Sequence, residues 1–405
     1  MNRIILIGNG FDLAHGLKTS YKNFIDDLWE TKKKLFTKSY QEKKITLYED
    51  DDIVINDVIR WGTVCYNNNE NILTGYKGFL YFIKNGYLRG NLTFKNSFLK
   101  IISEKSYLQN WVDIEDEYYQ QLKHIIQNKS RYYTGNTAVS KLNEDFEEVK
   151  KELEKYLINE LNNRKLNNFN LENIGQGFNI VDFSSEGIVE LRNGYFSKTE
   201  EEQKKFEHLL EEMKRGLSGY AFCKTQIYPE RTLLLNFNYT DLPKKLKKNI
   251  QDSAWQLDNW AKKTIEVIQI HGELNNPNYP IIFGYGDEQD ETHKEIEKRG
   301  GDYLENVKTI NYLKTPNYKN LLTFVENDKY QVLIMGHSCG LSDKTLLNTL
   351  FEHENCVSVK PFYYIDEKGH NNYNDIVENI YRCFTNKSMM REKVVNLKYC
   401  KPFSE

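Results

Sequence analysis

The chain begins with a strand, a glycine turn and a helix in immediate succession, and this order restricts the fold more than any other feature. Ile4-Ile5-Leu6-Ile7 is a short, wholly apolar run of the kind that forms a strand buried on both faces. Gly8-Asn9-Gly10-Phe11-Asp12 follows without a spacer. Glycines there permit a tight turn and let backbone amides come close to a phosphate held near a helix N-terminus. The third glycine of the full dinucleotide fingerprint is missing, so a plain strand-to-helix turn is the alternative reading of the same residues.

Four later apolar runs share this texture: Leu233-Leu234-Leu235, Val267-Ile268-Gln269-Ile270, Val332-Leu333-Ile334-Met335 and Val357 to Ile365. Helical or loop segments separate them, and strands alternating with helices predict a mainly parallel sheet. The stretch between the first run and these four is different. It has no proline before Pro229 and carries amphipathic patterns at Tyr21, Phe24, Ile25, Leu28 and Trp29, with Thr19 or Ser20 as cap. Further patterns lie at Leu142, Phe146, Val149, Leu153, Tyr156 and Leu157, and at Phe206, Leu209, Leu210, Met213 and Leu217. The expected fold is therefore α/β, a doubly wound, mainly parallel Rossmann-like sheet interrupted by a large helical insertion. Residues 1–40 and 225–405 are assigned to the nucleotide-binding domain and 41–224 to the insertion. The first helix is expected to pack on the opening strand, and the lysine-rich run Lys32 to Lys44 reads as a solvated face.

Composition narrows the functional classes. With 55 basic and 58 acidic residues the 405-residue chain has a formal charge of −3, which gives no general attraction to nucleic acid or anionic lipid. Six scattered cysteines without Cys-x-x-Cys spacing point away from a structural zinc site and from a secreted disulfide framework, so no metal is expected. No apolar run reaches bilayer length, and a soluble cytoplasmic protein is expected.

Ligands of doubly wound sheets bind at the carboxyl ends of strands, and the apolar runs end in polar residues there. Asn236-Phe237-Asn238-Tyr239-Thr240-Asp241 offers amides for a sugar hydroxyl or a water, with Asp241 placed to cap a helix. His271-Gly272-Glu273 offers an imidazole base. Gly336-His337-Ser338-Cys339-Gly340-Leu341-Ser342-Asp343 is a second glycine turn, or an ordinary turn capped by Ser342 or Asp343. His15 and His337, beside the glycine turns, read as local hydrogen-bonding residues.

In this order the segments resemble the sirtuin-like NAD-binding fold. Gly8-Asn9-Gly10-Phe11 stands where that fold has Gly-Ala-Gly-hydrophobic, Asn238 matches its nicotinamide-side asparagine, and His271-Gly272 its catalytic His-Gly. Gly336-His337-Ser338 matches its Gly-x-Ser turn. More narrowly, residues 7–17 and Trp111-Val112-Asp113-Ile114-Glu115 resemble the AbiH-type bacteriophage abortive-infection family. The four-cysteine zinc module of deacylating sirtuins is missing, so the resemblance implies the zinc-free, NAD-consuming branch. It implies an antiphage effector that hydrolyses NAD to nicotinamide and ADP-ribose, with Asn238 and His271 catalytic. Gly8, Asn9, Gly10, Phe11, Asp12, Gly336, Ser338 and Asp343 would then hold the dinucleotide. A non-catalytic nucleotide-binding sensor is the alternative, and a nuclease or RNA-directed toxin a weaker one. The insertion is left three roles: sensing a phage-encoded trigger, closing over the site, or forming a homo-oligomer interface.

Overall fold

The computed structural model describes residues 1–61, 74–109, 113–164, 172–193, parts of 199–211, 228–253, 264–286 and 291–403. The helical pattern from Phe206 to Leu217, together with Trp111, Val112, Cys65 and Cys223, lies outside the described residues. In chain order the strands are β1 (Asn2–Ile7), β2 (Tyr48–Glu49), β3 (Ile53–Arg60), β4 (Leu88–Phe94), β5 (Arg231–Asn236), β6 (Thr264–Gln269), β7 (Tyr330–Met335) and β8 (Cys356–Phe362). The chain divides into two units, one of residues 1–16, 165–282 and 309–405, the other of residues 17–164 and 283–308.

The first unit is built on a five-stranded sheet of order β6-β5-β1-β7-β8, every neighbouring pair parallel. The expected strands all take part, and β1 lies in the middle with Ile4 opposite Leu233 on one side and Val332 on the other. One face carries Ile4, Leu6, Leu233, Leu235, Val332, Ile334 and Val359, packed with Phe324, Leu347, Leu350, Phe351 and Ile380 from flanking helices. Each such side chain contributes roughly 1.5–3 kcal/mol by leaving water. The opposite face mixes buried apolar residues, Ile5, Ile7, Leu234, Leu333 and Met335, with buried polar and charged ones. Lys360 Nζ lies 2.8 Å from Asp182 Oδ1, Gln331 donates to Oδ2 of the same carboxylate (3.3 Å), and Arg3 donates to the Gln176 carbonyl (2.6 Å). Burial pulls the Arg3 guanidinium down to about 10 against the attraction of Asp182. Buried cations inside strands survive only with such partners.

The second unit is not purely helical. Its helices Tyr21–Lys43, Ile114–Ile126 and Ala138–Asn163 are accompanied by a three-stranded antiparallel sheet, order β2-β3-β4. The description of residues 41–224 as a helical insertion is corrected by these strands. β3 and β4 set Asn56, Asp57, Arg60, Arg89 and Asn91 among apolar residues, and a register shift between Asn56 and Ile59 breaks their pairing, so neither shows a clean period of two. Ser20 caps the helix Tyr21–Lys43, its hydroxyl accepting from Asn23 N (3.1 Å). Lys32 departs from the expected solvated face, being buried and paired with Asp52 at 2.7 Å and Asp50 at 3.0 Å. Asp113 caps the helix Ile114–Ile126. Glu115, in that helix, is buried against Lys308 Nζ (3.1 Å) and accepts from Gly284 N (3.0 Å). Among the described residues no helix is long and apolar enough to cross a membrane.

Candidate functional site

At the carboxyl end of the parallel sheet the turns after β1 and β7 are locked together. Gly8 N donates to the Met335 carbonyl (3.3 Å) and Gly10 N to the Gly336 carbonyl (2.8 Å). A Cβ on Gly8 would stand 2.5 Å from His337 Cα, and one on Gly336 would stand 2.1 Å from Phe11 N. Gly336 also has a φ of +73°, which only glycine adopts without strain. The glycines are therefore required for the close approach of two backbones, and the Gly8 and Gly10 amides are engaged in that contact. Asn9 is half-buried at the start of the short helix Asn9–Ala14, Phe11 is buried, and Ser338 is exposed with its carbonyl accepting from Asn379 Nδ2 (2.8 Å).

The turn after β5 joins this assembly through amides. Asn238 Nδ2 donates to the Gly8 carbonyl (3.0 Å), and Asn238 N donates to Asn236 Oδ1 (3.2 Å). Asn236 Nδ2 in turn donates to the Thr240 carbonyl (2.8 Å) and to Gln269 Oε1. The Thr240 hydroxyl donates to Asp12 Oδ2 (2.9 Å). Asp12 is fully buried, and its other carboxyl oxygen has no hydrogen-bond partner. Burial pushes this carboxyl up to about 7, with Thr240 and Asn238 opposing the rise and Asp241 adding to it. Asp12 does not cap the first helix, since Gly8 occupies that position.

His271, just past β6, completes the cluster. Its Nδ1 lies 3.0 Å from the Phe237 carbonyl, and its Nε2 lies 3.1 Å from the Tyr312 hydroxyl and 3.2 Å from Asp343 Oδ1. Asp343 also meets His337, Oδ2 to Nε2 at 3.5 Å. It stands at the N-cap position of the helix Lys344–Glu352 but makes no side-chain capping hydrogen bond, so the expected capping role is replaced by a contact to two imidazoles. His337 takes the local hydrogen bond expected of it, Nδ1 accepting from Cys339 N (3.0 Å), as does His15, whose Nδ1 lies 2.8 Å from the Phe11 carbonyl.

Asn238, His271, Asp12, Asp343 and the two glycine turns are thus linked through contacts at one end of one sheet, while the Ser338 side chain faces solvent. Sequence reasoning missed Tyr312, which carries no motif, and the pairing of Asp343 with His337, which only the folded turn creates. Among the described residues no group of three or more His, Cys, Asp or Glu side chains could hold a metal ion.

A family model described as bacteriophage abortive infection AbiH matches residues 66–365, well over half of the chain. The match includes Asn238, His271 and the turn from Gly336 to Asp343, and begins after the opening glycine turn. No curated protein and no solved structure matches.

Proposed function

The chain belongs to the bacteriophage abortive infection AbiH family, and on that footing we propose that it is an antiphage effector whose carboxyl-edge cluster takes NAD and hydrolyses it. The strand order supports a Rossmann-like reading. Numbered within the sheet alone, β6-β5-β1-β7-β8 reads 3-2-1-4-5, and the order reverses between β1 and β7. Ligands of such sheets sit outside the strand ends at that reversal. The observation that carries the reading is that Asn238, Asp12, His271 and Asp343, from distant parts of the sequence, meet there.

Hydrolysis of NAD breaks the bond between ribose C1′ and the nicotinamide nitrogen. The nicotinamide leaves neutral, and water supplies oxygen to C1′ and one proton to a base. A leaving group that is already cationic needs little acid assistance, so the demands are a placed water and a proton acceptor. His271 is the acceptor and Asn238 the residue that orients water or ribose. Asp12, Asn9, Phe11 and the turns at Gly8, Gly10, Gly336 and Ser338 border the dinucleotide, and a phage component serves as trigger. Purified protein incubated with NAD is expected to release nicotinamide. His271→Ala and Asn238→Ala are expected to lower the rate about a hundredfold to ten-thousandfold. Release that is unchanged in both variants refutes the assignment.

One observation favours a second reading, in which the protein binds a nucleotide without cleaving it. Both ring nitrogens of His271, the Asn238 amide and the Gly8 and Gly10 amides already have internal partners. Saturable NAD binding with no nicotinamide release, with the trigger present as well as without it, would select this sensor role.

A further inference from the structure

His271 belongs to a row of acid–base groups, and its proton inventory follows from the partners of each nitrogen. The Phe237 carbonyl can only accept, so the Nδ1 atom 3.0 Å away carries a proton. On the other ring, His337 Nδ1 accepts the Cys339 N–H (3.0 Å), so the proton of the neutral His337 ring sits on Nε2, the atom facing Asp343 Oδ2. That leaves His271 Nε2 between two oxygens, the Tyr312 hydroxyl at 3.1 Å, which can donate or accept, and Asp343 Oδ1 at 3.2 Å, which as a carboxylate can only accept. A bare nitrogen lone pair facing a carboxylate oxygen at this distance is repulsive, and a single proton between them turns the repulsion into a charge-assisted hydrogen bond.

We propose that Asp343 is a positioning residue that holds this proton on His271, so that the resting site is an imidazolium–carboxylate pair, with His337 anchoring the far carboxylate oxygen. The proposal rests on the reading of His271 as proton acceptor in NAD hydrolysis and adds a step to it. His271 becomes a base only after the shared proton has left for solvent, and Nε2 then exchanges Asp343 for the attacking water or a ribose hydroxyl. Among the described residues the titratable side chains about the pair are Tyr312 and Tyr239 on His271, His337 on Asp343, and the Cys339 and Cys383 thiols near the carboxylate, with the Phe237 ring against His271. Burial, with Asp343 adding to it, holds both thiols above their ordinary value, so they remain neutral. The acid–base row is buried throughout, with His271 4%, His337 5%, Tyr312 5% and Asp343 9% exposed.

Two measurements test the proposal and keep it separable from NAD hydrolysis. The first is the nitrogen-15 spectrum of the imidazoles near neutral pH. The wild type is expected to show His271 with both nitrogens protonated and His337 with its proton on Nε2. Asp343→Asn should turn His271 neutral with its proton on Nδ1, and Asp343→Glu should restore the charged form. A neutral His271 in the wild type overturns the proposal whether or not the protein cleaves NAD. It does so even if Asp343→Asn fails to fold. The second is the pH profile of nicotinamide release. Asp343→Asn should move the acid limb of kcat down by about one pH unit or more, because an opposite charge at this distance stabilises the protonated ring. An unmoved limb overturns the proposal. Absence of nicotinamide release with the expected spectrum would count against hydrolysis and leave the proton pair standing.

Discussion

Replacing Asp12 by asparagine should change how the stability of the protein depends on pH, by an amount that follows from the burial of the carboxyl group. In the folded chain this group titrates near 7 instead of 3.8, chiefly because burial disfavours its ionised form. The folded state therefore binds the proton more tightly than the unfolded chain does. Stability from this source is complete below about pH 4 and is lost as the pH rises toward 7. Moving a carboxyl from 3.8 to about 7 corresponds to about 4 kcal/mol once both states are ionised. Asparagine keeps the shape and the acceptor for the Thr240 hydroxyl, and removes the titration. Its buried N–H groups cost about 1–3 kcal/mol at every pH, so the difference between pH values carries the information. Urea unfolding of both proteins from about pH 4 to pH 8 should show the wild type losing about 4 kcal/mol more than Asp12→Asn. Parallel curves would refute a buried, neutral Asp12 and with it the electrostatics assigned to this end of the sheet.

Two further substitutions probe the framework. Gly336→Ala places a Cβ 2.1 Å from Phe11 N at a residue with φ of +73°. Left-handed backbone alone costs a non-glycine residue about 1–2 kcal/mol and the close contact adds to it, so a fall in melting temperature of more than about 2 °C is expected by calorimetry. An unchanged melting temperature would show that the two turns are not in contact. Glu115→Gln leaves Lys308, 1% exposed at its side chain, as a buried cation without its carboxylate. A loss of about 3–5 kcal/mol in urea unfolding is expected, and a loss below about 1 kcal/mol would place the pair in solvent.

The five strands of the parallel sheet were legible because each is an apolar run with a breaker at its end, and burial on both faces leaves little else such a run can form. The polar residues at those ends were legible for the same reason, as the chain must leave the sheet where Gly8, Asn238, His271 and Gly336 stand. What could not be read depends on contacts between distant residues. Lys360 is held inside its strand by Asp182 from the turn Ile180–Asp182, and Arg3 by the Gln176 carbonyl and the charge of Asp182, and no local pattern announces a partner 178 residues away. Lys32 looked solvated among its lysine neighbours until Asp50 and Asp52 were brought to it by the turn into β3. Asp343 has the sequence context of a helix cap, and only the arrival of two imidazoles draws its side chain elsewhere. The antiparallel strands of the second unit were hidden because polar residues interrupt their apolar alternation and a register shift lies between Asn56 and Ile59.

The most direct test of a nucleotide site at the strand ends is hydrogen exchange, read by mass spectrometry, on the full-length chain with and without saturating NAD. Joint protection is expected in the peptides that carry Gly8 to Asp12, Asn236 to Thr240, His271 to Gly272 and Gly336 to Asp343. Protection of none of these peptides, or of a different region alone, would contradict the account.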